Sequence, residues 1–233
     1  MKAVILAAGK GSRLAQGDLP KPLTSLVSGK SILQHQLEVL SLYVPSDDII
    51  IVVGYHKEQI MEHFPDFLYV YNPNYASENT SKSLLRALNK CREDVLWVNG
   101  DVVFHPSVLE AILDDPKTSM VVNVGKVGEE EVKYHQDVEG KILEVSKHVD
   151  RPEGEALGIN YCSLADLAMF RSNLERCSPH DYFERGLELC IEQGMSVWSV
   201  PVDANLCLEV DFPEDLERAN SMLRKWKQDS SKH

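Results

Sequence analysis

Four short apolar runs, Lys2–Leu6, Asp48–Gly54, Phe67–Tyr71 and Val95–Val98, constrain this chain more than any other feature. None shows the polar alternation of a half-exposed strand, so each reads as a strand covered on both faces. The first stops at a glycine-rich stretch, the third at Asn72-Pro73 and the fourth at Asn99-Gly100-Asp101. Helical segments separate and follow them. Ser31–Leu42 puts Ile32, Leu33, Gln36, Leu37 and Leu40 near one face, with Ser31 as N-cap. His56–Phe64 is a short helix, Ser81–Cys91 another, and Pro106–Asp114 has proline in its first turn. Strand and helix alternating four times predict an α/β fold, a Rossmann-like three-layer sandwich around a mainly parallel, mixed central sheet. Ligands of such sheets sit outside the carboxyl ends of the strands. The loop after Leu6, the Asn72 segment and Asp101 all fall there.

The second half changes texture. Met120–Val127, Lys133–Val138 and Lys141–Ser146 read as strands joined by short turns, with Glu139-Gly140 as a hairpin signal. Ala156–Cys162 and Ser196–Val200 read as further strands, and Leu164–Asn173, Tyr182–Gln193 and Pro213–Leu223 as helices. The polar tail from Lys225 is expected to fray. With 233 residues and no repeat, linker or low-complexity block, the chain reads as one domain over 1–224 followed by a tail over 225–233.

Charge narrows the partners. Thirty-six acidic against 24 basic residues give a net charge of −12, a surface that repels a polyanion and argues against nucleic-acid binding. A small anionic ligand is still compatible, because a local nest of amides and cations overcomes the global sign. The five cysteines, Cys91, Cys162, Cys177, Cys190 and Cys207, contain no CxxC pair, which points to buried free thiols and a reducing compartment. The opening apolar run stops at Gly9 and is followed at once by Lys10 and Arg13, wrong for a signal peptide. No stretch is long and apolar enough to span a bilayer, so the expected location is cytoplasmic, with no membrane partner. The eight histidines form no HxH or HExxH pattern, and there is no GxSxG nucleophile elbow.

The stretch after the first strand reads Leu6-Ala7-Ala8-Gly9-Lys10-Gly11-Ser12-Arg13-Leu14, then Pro20-Lys21-Pro22-Leu23. It fails the dinucleotide fingerprint, since Leu14 replaces the third glycine and prolines delay the helix. Gly29-Lys30-Ser31 ends like a Walker A loop, but Thr24 stands where the first glycine belongs. Glycines let backbone amides approach phosphates closely, an arginine fork grips phosphate oxygens, and a lysine supplies a point charge.

This pattern resembles the signature of the sugar-phosphate and related nucleotidyltransferases. The resemblance extends to Gly29-Lys30-Ser31-Ile32-Leu33, to Asn99-Gly100-Asp101 and to Glu209-Val210-Asp211-Phe212-Pro213-Glu214-Asp215-Leu216, so it covers nearly the whole chain. It implies a GT-A-like nucleotidyltransferase fold and a Mg²⁺ cofactor on Asp101 and Asp211. It implies nucleotide contacts from Leu6, Ala7, Ala8, Gly9, Gly11, Ser12, Arg13, Lys21 and Gly100. Read without the family, Asp101 is a turn residue, and Asp211 a helix N-cap with Glu214 completing a capping box.

Asn72-Pro73-Asn74-Tyr75 with Glu78-Asn79-Thr80-Ser81-Lys82-Ser83-Leu84 looks like the matching segment of the small cytidylyltransferases acting on phosphocholine and similar esters. Asn79, Ser81 and Ser83 would then read a pyrimidine edge. Otherwise they are a loop and helix cap. Ser146-Lys147 and Gly154-Glu155-Ala156-Leu157-Gly158-Ile159 resemble the same group. Lys147 becomes a phosphate clamp, and Asp101, Glu155, Gly158, Tyr182 and Glu184 the acceptor pocket. Without the family, Lys147 is a solvated lysine and Tyr182–Glu184 one face of an amphipathic helix. The expected catalytic cations are Arg13, Lys21 and Lys147. The expected reaction transfers CMP from CTP to a small phosphorylated acceptor and releases pyrophosphate. A sugar-1-phosphate transferase using UTP, dTTP or GTP is the first alternative, a non-catalytic nucleotide-binding subunit the second. An NAD(P)-dependent oxidoreductase fails on the missing glycine. Short exposed strands in the second half are candidates for pairing across a homodimer.

Overall fold

The computed structural model describes residues 1–11, 19–125, 127–129 and 131–230. Strand β1 (Lys2–Ala7) lies between β2 (Ile49–Val53) and β4 (Val95–Asn99), parallel to both, and β3 (Leu68–Tyr71) continues the parallel row beyond β2. Successive side chains of β1 serve opposite faces. Val4 and Leu6 join the cluster that holds Leu84 of α3 (Thr80–Leu88), Phe170 of α5 (Leu164–Arg176) and Leu187 of α6 (Phe183–Glu192). Ala3, Ile5 and Ala7 join the cluster of Leu37 from α1 (Ile32–Leu40), Ile60 from α2 (Lys57–His63) and Leu109 from α4 (Pro106–Asp114). Helices therefore cover both faces of the sheet at β1, β2 and β4, which is why these strands carry no polar alternation, whereas β3, expected to be covered likewise, is a half-exposed edge strand.

On the other side of β4 the sheet turns mixed. β9 (Gly154–Cys162) runs antiparallel between β4 and β6 (Ser119–Val122), and β10 (Trp198–Pro201) runs parallel to β6 at the edge. The order is β10-β6-β9-β4-β1-β2-β3, with the hairpin of β7 (Lys133–Gln136) and β8 (Ile142–Ser146) branching from the start of β9. A second, two-stranded antiparallel sheet pairs β5 (Val102–Phe104) with β11 (Cys207–Glu209). The last helix, α7 (Pro213–Ser230), shares a small apolar cluster with that sheet through Val103, Val210 and Ala219.

Three expectations shift. The strand expected over Met120–Val127 is bulged after Met120 and ends at Val122, where the Asn123 side-chain oxygen turns to accept from Glu155 N. The strand from Lys133 stops at Gln136, because Asp137 Oδ1 accepts from the backbone of Glu139 and Lys141 and folds the chain into a turn. Helix α7 does not fray after Leu223 but runs to Ser230. Trp226 lies one turn beyond Leu223 on the same apolar face, its indole N–H donates to Asn205 O at 3.0 Å, and its ring sits 5.3 Å from that of His105. All five cysteines are free and buried, and no described helix is long and apolar enough to cross a membrane.

Candidate active site

A cleft of about 540 Å³ opens at the carboxyl ends of β1 and β4. Backbone contact sets its floor. Gly100 N donates to Leu6 O at 3.0 Å, and a Cβ on Gly100 would lie 2.7 Å from that oxygen, so only glycine lets the two strand ends meet so closely. Gly11 takes a left-handed φ of 59° and lies against the stem of Lys21, where a Cβ would come within 2.4 Å of Lys21 Cβ. Lys21–Leu23 forms one 3₁₀ turn between Pro20 and Thr24, with Leu23 N bonded to Pro20 O at 2.8 Å. The prolines and the glycine together hold the Lys21 side chain inward, 9% exposed.

Two aspartates meet that lysine. Asp101 lies two residues past the end of β4, and Asp211 two residues past the end of β11. The pairing of β5 with β11, extended by Val210 N donating to Asp101 O at 2.9 Å, brings the two together from distant parts of the sequence. Lys21 Nζ donates to Asp101 Oδ2 at 2.7 Å and to Asp211 Oδ1 at 2.6 Å. Burial pulls the Lys21 ammonium downward, but Asp101 and Asp211 outweigh it and hold it above its usual range. Gln36 fixes the turn beneath, since its Nε2 donates to Asn99 O and Val102 O, both at 2.8 Å. Its place on an otherwise apolar helix face is thereby explained.

One wall of the cleft is acidic. Glu209 lies two residues before Asp211 on an extended segment, so both project to one side. Its Oε1 accepts from Asn99 Nδ2 at 3.0 Å, and a Cβ on Gly158 would press within 2.6 Å of it. Burial, then the Asp101 charge, push the Glu209 carboxyl up to about 8. Glu184 is buried, and its Oε2 has no hydrogen-bond partner among the described residues. Burial pushes this carboxyl up to about 7, with Lys147 acting against the shift. Burial also raises Glu155, whose carboxylate accepts from Asn123 Nδ2. Lys147 Nζ lies 5.1 Å from the ring centre of Tyr182, within cation–π range.

The cleft thus gathers Leu6, Ala7, Gly9, Gly11, Lys21, Gly100 and Asp101 with Lys147, Glu155, Tyr182, Glu184 and Asp211. Ser12 and Arg13 lie outside the described residues. Five expected contacts sit elsewhere for local reasons. Ala8 is buried, and its carbonyl accepts from Tyr55 N. Asn79 caps α3 by accepting from Thr80 N at 2.8 Å, Ser81 is fully buried, and Ser83 Oγ accepts from Asn72 Nδ2 at 3.0 Å. Thr80 is the member of that segment that lines the cleft. Gly158 stands behind the wall, against Asn99 and Glu209. Asp215, not Glu214, caps the last helix, its Oδ2 accepting from Asp211 N and Phe212 N. Glu209 and Asn99 were missed as site residues. The two-residue spacing of Glu209 from Asp211 was the available signal.

Two carboxylates beside a buried cation, under a glycine loop and at the end of a parallel strand, suit an enzyme that handles phosphoanhydrides. The class is that of the nucleotidyltransferases. The chain belongs to the MobA-like NTP transferase domain family, whose profile matches residues 3–156. It is 26% identical over 238 residues to the UTP–glucose-1-phosphate uridylyltransferase AglF of Haloferax volcanii, covering 96% of this chain and 97% of that one. It is 38% identical over 129 residues to the CMP-5'-(3-aminopropyl)phosphonate synthase of Streptomyces rubellomurinus, a match covering 52% of this chain and only 20% of that protein. In fold it is similar to the CTP:phosphocholine cytidylyltransferase from Streptococcus pneumoniae (TM-score 0.78, 21% identity, 95% and 98% of the two chains). The inositol-1-phosphate CTP transferase from T. maritima is equally similar (TM-score 0.78, 20% identity, 95% of each chain).

Proposed function

We propose that the protein transfers CMP from CTP to a small phosphorylated acceptor bearing a cationic group, such as a phosphocholine-like ester or an aminoalkylphosphonate. The observation that carries this reading is the convergence of Asp101 and Asp211 on Lys21 beside a wall of unusually acidic character. In the reaction, an acceptor phosphate oxygen attacks the α-phosphorus in line. The bond from that phosphorus to the bridging oxygen breaks, and pyrophosphate leaves with the electron pair. An acceptor phosphate is already anionic, so no protein nucleophile is required. The protein positions reactants and neutralises charge.

Asp101 and Asp211 would hold Mg²⁺, which supplies charge neutralisation at the phosphate oxygens. The donor set fits a hard cation, and Asp101 Oδ1 is buried with no partner among the described residues. No described group of three or more His, Cys, Asp or Glu side chains could hold a metal ion, so nucleotide phosphates would complete the shell. Gly9 and Gly11 offer backbone to the phosphates, and the motif assigns Arg13 and Lys21 to the leaving pyrophosphate. Lys147 would meet the acceptor phosphate. Glu184 and Glu155 would then face a cationic acceptor group beside Tyr182, since both carboxyls are raised by burial and a cation would relieve that cost. The aminopropylphosphonate relative supports a cytidylyl donor and an amine acceptor.

A second reading is favoured by one observation, the near full-length match to the glucose-1-phosphate uridylyltransferase. Pyrophosphate release with Mg²⁺ separates the two, measured across CTP, UTP, dTTP and GTP with phosphocholine, 2-aminoethylphosphonate, inositol phosphate, glycerol phosphate and sugar-1-phosphates. Turnover with CTP and an amine-bearing acceptor is expected. Turnover only with UTP or dTTP and a sugar-1-phosphate would overturn the acceptor and nucleotide assignment.

A further inference from the structure

We infer that Lys21 is a resident counter-ion that keeps the metal position between Asp101 and Asp211 closed until a polyphosphate arrives. The inference rests on the proposal that these aspartates are the metal pair. The ammonium already donates to one oxygen of each carboxylate, at 2.7 Å and 2.6 Å. A divalent cation held between the two carboxylates would sit close to that ammonium, and the two would repel as like charges drawn to the same pair. The two cannot share the position on equal terms.

Lys21 is built into this place rather than resting there. Its stem lies under Gly11 with no room for a Cβ between them, its backbone is set between two prolines, and its side chain is 9% exposed. The need for a counter-ion is also plain. Asp101 and Asp211 meet on one ammonium in one cleft, and removing the lysine would leave their mutual repulsion uncompensated. The lysine nonetheless leaves the pair incompletely satisfied, since Asp101 Oδ1 is buried with no partner among the described residues.

A polyphosphate entering past Gly9 and Gly11 changes the balance. It gives the Lys21 ammonium another anion within the cleft and so frees both aspartates for a cation that arrives with the nucleotide. The free protein is therefore held with its two carboxylates spaced around one ammonium that offsets half their charge, and metal alone gains little by binding. Metal and nucleotide bind together, each making room for the other.

The test is Mn²⁺ titration of the nucleotide-free protein, followed by the loss of the free-ion electron paramagnetic resonance signal. Wild type is compared with Lys21→Met, Lys21→Gln and Lys21→Met/Asp211→Asn. The neutral variants should bind Mn²⁺ at least about tenfold more tightly than wild type, and the added Asp211→Asn should remove that gain. Without metal, the thermal midpoint of the neutral variants should fall and be restored by Mn²⁺, while wild type is barely moved. Lys21→Gln keeps a polar stem under Gly11 should Lys21→Met fold poorly. Equal or weaker Mn²⁺ binding by both neutral variants would overturn the counter-ion role and leave the metal pair standing. No binding by any variant at millimolar Mn²⁺ would likewise overturn the counter-ion role, and the same titration with CTP present decides the metal pair.

Discussion

Glu184→Gln isolates one buried carboxyl of the acidic wall. The wild-type group is buried, and its carboxyl is held near about 7 against an ordinary 4.5, chiefly by burial. In the unfolded chain the proton leaves near the ordinary value, while the folded protein keeps it to about pH 7. Below pH 4.5 both states hold the proton and folding is unaffected. Between the two values only the folded state holds it, so stability falls as pH rises, and the loss is complete once the folded carboxyl ionises. The loss amounts to about 3 kcal/mol at pH 8.5 relative to pH 4.5, from 1.36 kcal/mol per pKa unit. For a chain of this size that is a drop of roughly 6–12 °C in thermal midpoint. Glutamine keeps the shape without the charge. Metal-free thermal unfolding by circular dichroism, at pH 5.0, 7.0 and 8.5, should show wild type losing stability faster than the variant. Glu155 and Glu209 titrate in both proteins, so the difference between the two curves reports Glu184 together with the effect of its charge on Glu209. A difference that stays constant from pH 5.0 to 8.5 would refute the reasoning. Phosphocholine at pH 8.5 should raise the wild-type midpoint more than that of the variant, because only wild type offers the ammonium a carboxylate.

Gly158→Ala should cost about 1–3 kcal/mol, read by urea unfolding, because φ is 67° and the new Cβ would meet Glu209 Oε1 at 2.6 Å and Asn99 Nδ2 at 2.7 Å. Turnover should fall with it, since Glu209 and Asn99, which both line the cleft, would have to shift. Trp226→Ala should lower stability by about 1–2 kcal/mol and raise amide exchange in the last two turns of α7, with little change in turnover, because it anchors the far end of a helix that meets the cleft only at its first turns.

Long periodic segments were readable because one rule governed each. The four apolar runs became β1 to β4 almost as drawn, and Ser31 capped its helix by accepting from Gln34 N. Strands β5 and β11 were not readable, since three residues carry no period and their pairing is long-range. Yet that pairing is what brings Asp211 beside Asp101. Motif spacing pointed to Lys21 and both aspartates but not to their contact, which depends on how a loop, a turn and a second sheet close on one another. It also misread Asn79, Ser81 and Ser83, whose polar atoms face their own helix start, the Asn72 turn or the interior. A tail of mostly polar residues concealed Trp226, whose helical spacing from Leu223 was the one sign that the helix continues.

The most direct test of the catalytic assignment is pyrophosphate release by Asp101→Asn and Asp211→Asn beside wild type, with the best nucleotide and acceptor pair. Circular dichroism would establish that the three proteins fold alike. Each asparagine should reduce turnover by roughly a hundredfold or more, as loss of a charge that holds the reacting phosphates requires. Turnover within a few-fold of wild type in either variant would contradict the assignment of this cleft as the catalytic centre.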